Sequence, residues 1–206
     1  MKSYKTVAGR KSAEYIVKKS RFIGHAAPVK TQQEALDFIN EIKSEYWDAT
    51  HNVYAYVLSE NNVSRYSDDG EPQGTAGVPS LDVLKKEELV DTAVVVTRYF
   101  GGIMLGAGGL VRAYSHTAKL AVDAAEIITM AQCALCDCQT DYNFYGRLVP
   151  LLHAHGAKVS NVDFAVGVNV SFSIRADGFE KLNAEIIDLS NGRFSAETLG
   201  EEFMRI

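Results

Sequence analysis

The stretch that most restricts the fold is DTAVVVTRYF, residues 91–100, which runs straight into GGIMLGAGG, residues 101–109. A nearly continuous β-branched run has no polar face to give to water, so it predicts a strand covered on both sides. The glycines then open into a helical pattern expected from about Gly108 to Ala125. Leu110, Ala113, Tyr114, Thr117, Ala121 and Ala124 share one face; Arg112, His116, Lys119 and Asp123 share the other. Alanine is common and leucine scarce on the inner face, so this helix is expected to lie close to its sheet.

Upstream, residues 12–29 read as two strands joined by a Lys-Lys-Ser turn at 18–20. Residues 31–47 predict a helix, with Thr31 and Glu34 as a capping box and Ala35, Ile39, Ile42 and Tyr46 as its apolar stripe. A strand over 51–59 places Val53, Ala55 and Val57 on one face, and extended residues continue to Tyr66. A loop, SDDGEPQGTAGVP (67–79), precedes a short helix opened by Pro79 and Ser80.

Residues 126–132 have no strong periodicity, and a domain boundary is expected there, between 1–130 and 131–206. The second half reads strand (133–140), helix (142–155, stopping at Gly156), two paired strands, helix (177–191, capped by Asp177, stopping at Gly192) and a final strand. That βαββαβ order is ferredoxin-like. Pro150 inside the first of these helices is expected to kink it or to sit near its first turn. The fold class is therefore α+β: an N-terminal sheet with helices packed on it, then a ferredoxin-like unit.

The chain has 206 residues, nearly half of them apolar, so it can bury a core. Neither a signal-like leader nor an 18-residue apolar run is present. Only three cysteines occur, Cys133, Cys136 and Cys138; a disulfide framework is not expected, a reducing cytoplasm is, and no membrane contact is. The net charge of −5 disfavours a wholly basic nucleic-acid binder. Residues 1–30 nonetheless carry eight basic side chains against the single acid Glu14. Lys18, Lys19 and Arg21 make a candidate basic strip for an anionic partner, although a solvated hairpin explains the same charges.

No catalytic signature is present. The glycines at 101, 102, 106, 108 and 109 fit neither G-x-x-x-x-G-K-[ST] nor G-x-G-x-x-G. They still lead from a buried strand into a helix N-terminus, where free N–H groups favour an anion. Arg98 and Arg112 flank them, and His116 can join Arg112. A candidate anion or nucleic-acid site is thus Arg98, Gly101, Gly102, Gly106, Gly108, Gly109, Arg112 and His116; tight turning and close packing account for the glycines equally well. In the first loop Asp68, Asp69, Gly70, Glu71, Gly74 and Thr75 form a second candidate. Its carboxylates suit Mg²⁺, a solvated loop with Asx turns, or closure against Arg65, Arg98 or Arg112. His51 is a possible site histidine, with Ser67, Thr75 and Ser115 as the nearest nucleophiles; a structural hydrogen-bonded role is the plainer reading. The C-x-x-C-x-C run is a poor zinc set, because Cys133 points opposite to Cys136 and Cys138 on a strand, and His153 and His155 end a helix. No metal, cofactor or catalytic residue is assigned.

The stretches DGEPQGTAG (69–77), RYFGGIMLGAGGLVRAY (98–114) and ATHNVYAY (49–56) resemble the IMPACT family in its bacterial YigZ-type branch. Val53 stands where many members have Cys, and Ile103-Met104 replaces a Thr-Lys pair, so no phosphate role carries over to that lysine. The resemblance implies a ribosomal-protein domain-2-like N-terminal domain and a C-terminal domain like the last domain of elongation factor G. Eukaryotic relatives are translational regulators, so the function expected is a non-enzymatic regulator that binds RNA, the ribosome or a translation-linked protein. A small phosphorylated ligand on the glycine loop, or a protein-docking ridge without nucleic acid, are the alternatives. The oligomeric state is left open.

Overall fold

The computed structural model describes residues 3–206, which form two compact units, one of Tyr4–Thr129 and one of Met130–Ile206 with Ser3. Chain order is β1 (Ser3–Val7), β2 (Lys11–Val17), β3 (Ser20–Pro28), α1 (Gln32–Glu45), β4 (His51–Leu58), β5 (Val63–Ser67), α2 (Gly77–Lys86), β6 (Thr92–Tyr99), α3 (Ala107–Ala124), β7 (Ile127–Thr140), α4 (Tyr142–Ala154), β8 (Lys158–Phe164), β9 (Val168–Arg175), α5 (Phe179–Leu189) and β10 (Ala196–Arg205).

In the first unit an antiparallel sheet runs β2-β3-β6-β4-β5. The central strand β6 is buried on both faces, as its unbroken apolar run requires. Ala93 and Val95 pack with Ala35, Phe38, Ile39 and Ile42 of α1. Val94 and Val96 face the other way, toward α2 and α3. Thr31 caps α1 by accepting from Glu34 N, while Glu34 accepts from Lys30 N. The β2–β3 hairpin turns through Lys18 and Lys19 alone, both at positive φ; Ser20 already belongs to β3.

Helix α3 lies hard against β3. A Cβ on Gly24 would stand 2.6 Å from Thr117 O and 2.9 Å from Ala121 Cβ, so only glycine permits that approach. The alanine-rich face is the reason α3 can come so near. Ala118 and Val122 complete its buried face, whereas Ala124 is exposed. Helix α2 starts at Gly77, two residues before Pro79, because its cap comes from outside the local sequence.

The second unit has the antiparallel order β10-β7-β9-β8, with α4 and α5 on one face, which is the ferredoxin-like arrangement. Strand β7 begins at Ile127, so the aperiodic stretch 126–132 is mostly strand. Asp141 caps α4, and Pro150 sits inside that helix; the carbonyl its ring would crowd belongs to Gly146, one turn earlier. Asp177 does not cap α5. It lies in a 3₁₀ turn and pairs with Arg175, and Gly178 is the N-cap. Cys136 and Cys138 point into the core with Phe144, Leu148 and Phe172. Burial pushes the Cys138 thiol up to about 11. Among the described residues no group of three His, Cys, Asp or Glu is placed to hold a metal ion.

Candidate functional site

His51 opens β4 opposite Arg98 near the end of β6, and both side chains project from the α3 face of the sheet. The loop after β5 brings Glu71 down onto this pair. Arg98 Nη1 donates to Glu71 Oε1 at 2.5 Å, and the Tyr114 hydroxyl of α3 donates to the same oxygen at 2.7 Å. All three groups are buried. Burial, reinforced by the Glu71 carboxylate, drives the Tyr114 hydroxyl far up, so it remains a proton donor. The Phe22 and Phe100 rings flank the Arg98 guanidinium, each about 5.4 Å away.

His51 Nδ1 lies 2.7 Å from the Asp69 carbonyl oxygen. A carbonyl only accepts, so Nδ1 carries the hydrogen and, in the neutral ring, Nε2 holds the lone pair. Nε2 stands 3.9 Å from Glu71 Oε1. His51, Glu71 and Arg98 line an open cleft of about 460 Å³ together with Thr50, Gly70 and Pro72 on one side. Phe100, Met104, Leu105 and the first turn of α3 from Gly106 to Leu110 form the other side. The two glycine-bearing loops therefore meet at the mouth of α3.

The remaining candidates divide. Asp68 is not a solvated carboxylate: it accepts from the backbone N–H groups of Gly74, Ala76 and Gly77 and so caps α2 from nine residues away. Asp69 accepts from Lys43 Nζ and Asn52 N. The Mg²⁺ reading is corrected accordingly, because these carboxylates are engaged by protein donors. Thr75 donates its hydroxyl to Pro72 O, Ser67 accepts from Asp69 N and Ser115 donates to Val111 O, so none stands as a nucleophile beside His51. Of the alternatives for the acidic loop, closure against Arg98 is the one the structure places, with Glu71 as the buried partner. Arg21 leaves the basic strip, since it pairs with Glu14 and lies over Tyr99.

Lys18 and Lys19 remain exposed at the hairpin tip, which is held against the second loop. A Cβ on Gly101 would fall 2.0 Å from the Lys19 carbonyl carbon, and Gly101 N donates to Ser20 Oγ. Gly102 and Gly106 adopt positive φ, and Gly108 and Gly109 lie in the first turn of α3. Arg112 and His116 do not line the cleft; with Tyr15 and Ser115 they border a separate open hollow, where the His116 ring meets Tyr15 edge-on at 4.6 Å. Phe100, Met104 and Leu105 also line the cleft, and apolar residues inside a glycine loop are the sequence signal that marks them.

The fold is that of a two-unit α+β protein, with the cleft in its first unit. A family model described as the Impact N-terminal domain matches residues 18–122, and one described as a domain of unknown function (DUF1949) matches residues 138–193. The chain belongs to the IMPACT family. It is 39% identical over 192 residues to the IMPACT family member YvyE of Bacillus subtilis, covering 93% of this chain and 88% of that one. It is 33% identical over 181 residues to the IMPACT family member YigZ of Escherichia coli, covering 85% and 88%. A solved structure described as a hypothetical protein matches with a TM-score of 0.62 at 30% identity, covering 98% of this chain and all of the other. No helix among the described residues is long and apolar enough to cross a membrane.

Proposed function

We propose that the chain is a non-enzymatic regulatory protein linked to translation, and that it binds RNA, free or in the ribosome, through the cationic rim of its first unit. The observation that carries this reading is a set of three exposed cations, Lys18, Lys19 and Arg112, which make no ion pair among the described residues. They belong to a hairpin packed on the glycine loop and to the helix that follows that loop, beside the aromatic rings of Tyr15 and His116. Phosphates suit the cations, and unstacked bases suit the rings. The satisfied first loop and the lack of a nucleophile near His51 support a binding role over catalysis. Family membership supports the link to translation.

Ribosomal and transfer RNA binding to the full chain, measured against salt, tests this. The logarithm of affinity should fall with the logarithm of salt by roughly 0.7 per phosphate neutralised on single strands. Lys18→Glu/Lys19→Glu should flatten that slope by about 1 to 2 and weaken binding tenfold or more, by about that order. Absent or salt-insensitive binding overturns the reading. Binding that survives nuclease and needs a protein partner points to a docking ridge instead.

A further inference from the structure

We propose that the cleft between the two loops of the first unit holds a nucleoside monophosphate group. At its mouth the first-turn N–H groups of α3 have no intrahelical acceptor, the N-cap Gly106 supplies no side-chain bond, and no acidic residue occupies that turn. This is a place for phosphate. A second observation points to a ligand independently. Arg98 is only 6% exposed and lines the same cleft, yet its Nε has no hydrogen-bond partner among the described residues. A buried guanidinium N–H without an acceptor is costly unless something supplies one.

The rest of the cleft specifies what accompanies the phosphate. With Nδ1–H held by the Asp69 carbonyl, the neutral His51 ring leaves Nε2 as an acceptor lining the cleft, suited to a donor hydrogen such as that of a ribose hydroxyl or an exocyclic amine. Phe100 and Met104 stay 47% and 84% exposed on the facing wall, an apolar surface matched to a planar base. Phosphate donors, an acceptor for hydroxyl or amine, and an aromatic wall together describe a nucleotide, and about 460 Å³ falls in the range of small-molecule pockets. The group can come from a free nucleotide or from the phosphorylated end of an RNA. The second source rests on the RNA reading above; the first does not.

The test uses the full chain with three probes: adenosine 5′-monophosphate, and one short single-stranded RNA with and without a 5′-phosphate. Ala107→Glu places a carboxylate in the exposed first turn of α3, where it favours the helix but repels phosphate. Phe100→Ala removes the stacking wall. The inference expects the mononucleotide, the 5′-phosphorylated RNA or both to bind, and Ala107→Glu to weaken that binding by about tenfold or more while the variant melts no lower than the wild type. Phe100→Ala should weaken the mononucleotide more than it weakens inorganic phosphate. Preference for the mononucleotide identifies a free ligand, and preference for the 5′-phosphorylated RNA identifies an RNA end. If neither probe binds, or Ala107→Glu binds as the wild type does, the inference falls. If salt-dependent RNA binding persists while this occurs, the RNA reading still stands. If only the mononucleotide binds, the RNA reading falls and the cleft site stands.

Discussion

The two loops that close the cleft are alike in glycine content and opposite in how they are held. In the first, each carboxylate is engaged: Asp68 caps α2, Asp69 ties β4 and Lys43, and Glu71 anchors Arg98 and Tyr114. In the second, two backbone bonds fasten the start, Phe100 N to Thr50 Oγ1 and Gly101 N to Ser20 Oγ. Beyond them Ile103 and Met104 project into water. The first loop is held as a core is held, through satisfied buried polar groups. The second is fixed at its root and left open at its tip. Stability therefore resides in the first loop, while recognition by the second is what the proposed function requires, and the comparison can be attacked from either side.

The largest effect is expected at Glu71. Glu71→Ala leaves Arg98 buried without its counter-charge and Tyr114 without its acceptor, at a cost of about 3–5 kcal/mol. Urea unfolding followed by circular dichroism should show it, with Glu71→Gln costing less because an amide oxygen still accepts. An unchanged midpoint for Glu71→Ala would end the claim that this loop is structural. Next comes Asp68→Ala, which strips the N–H groups of Gly74 in the loop and of Ala76 and Gly77 at the start of α2 of their acceptor and should cost about 1–3 kcal/mol. Asp68→Asn, keeping one acceptor oxygen, should recover part of that.

A pH effect from outside both loops calibrates these figures. His25 is buried against Tyr46 on the α1 side of the sheet, its Nε2 unpartnered. Burial holds its basicity below the ordinary imidazole value of 6.5, Glu45 opposing the shift only in part. Between the lowered folded value and 6.5 the unfolded chain binds more protons than the folded one, so stability falls as the pH drops through that window. Above 6.5 the contribution is constant. His25→Gln should lessen the loss between pH 7 and pH 5, seen by comparing urea midpoints at the two values. An undiminished loss would assign the acid sensitivity to other groups.

Much of the fold was legible because periodicity and β-branching are local. The unbroken run of β6 and the alanine face of α3 already demanded a layered unit with a close helix. The ends of elements were less legible. Helix α2 starts at Gly77 because a carboxylate nine residues upstream caps it, and no nearest-neighbour rule reaches that far. Residues 130–132 of β7 are extended because they pair with β10, not because of their own alternation. At the site, composition singled out both loops yet could not assign roles. An aspartate that caps and an aspartate in water are identical in sequence. Sequence left three arginines, Arg65, Arg98 and Arg112, as possible partners of the acidic loop, and could not choose between them because Glu71 lies 27 residues from Arg98.

The smallest stability effect is expected from Ile103→Ser/Met104→Ser. Both side chains are exposed, Met104 almost fully, so removing them should leave the urea midpoint within about 0.5 kcal/mol of the wild type. A drop comparable to that of Asp68→Ala would show that the second loop is as structural as the first, and the contrast between them would collapse. An unchanged midpoint isolates the interesting quantity. Folding gains little from a thioether held in water, so the apolar surface that Met104 and Phe100 expose is free to serve the proposed ligand. The same double variant should then weaken adenosine 5′-monophosphate or RNA binding while the protein unfolds where the wild type does. Loss of binding without loss of stability is the signature that separates a recognition loop from a structural one.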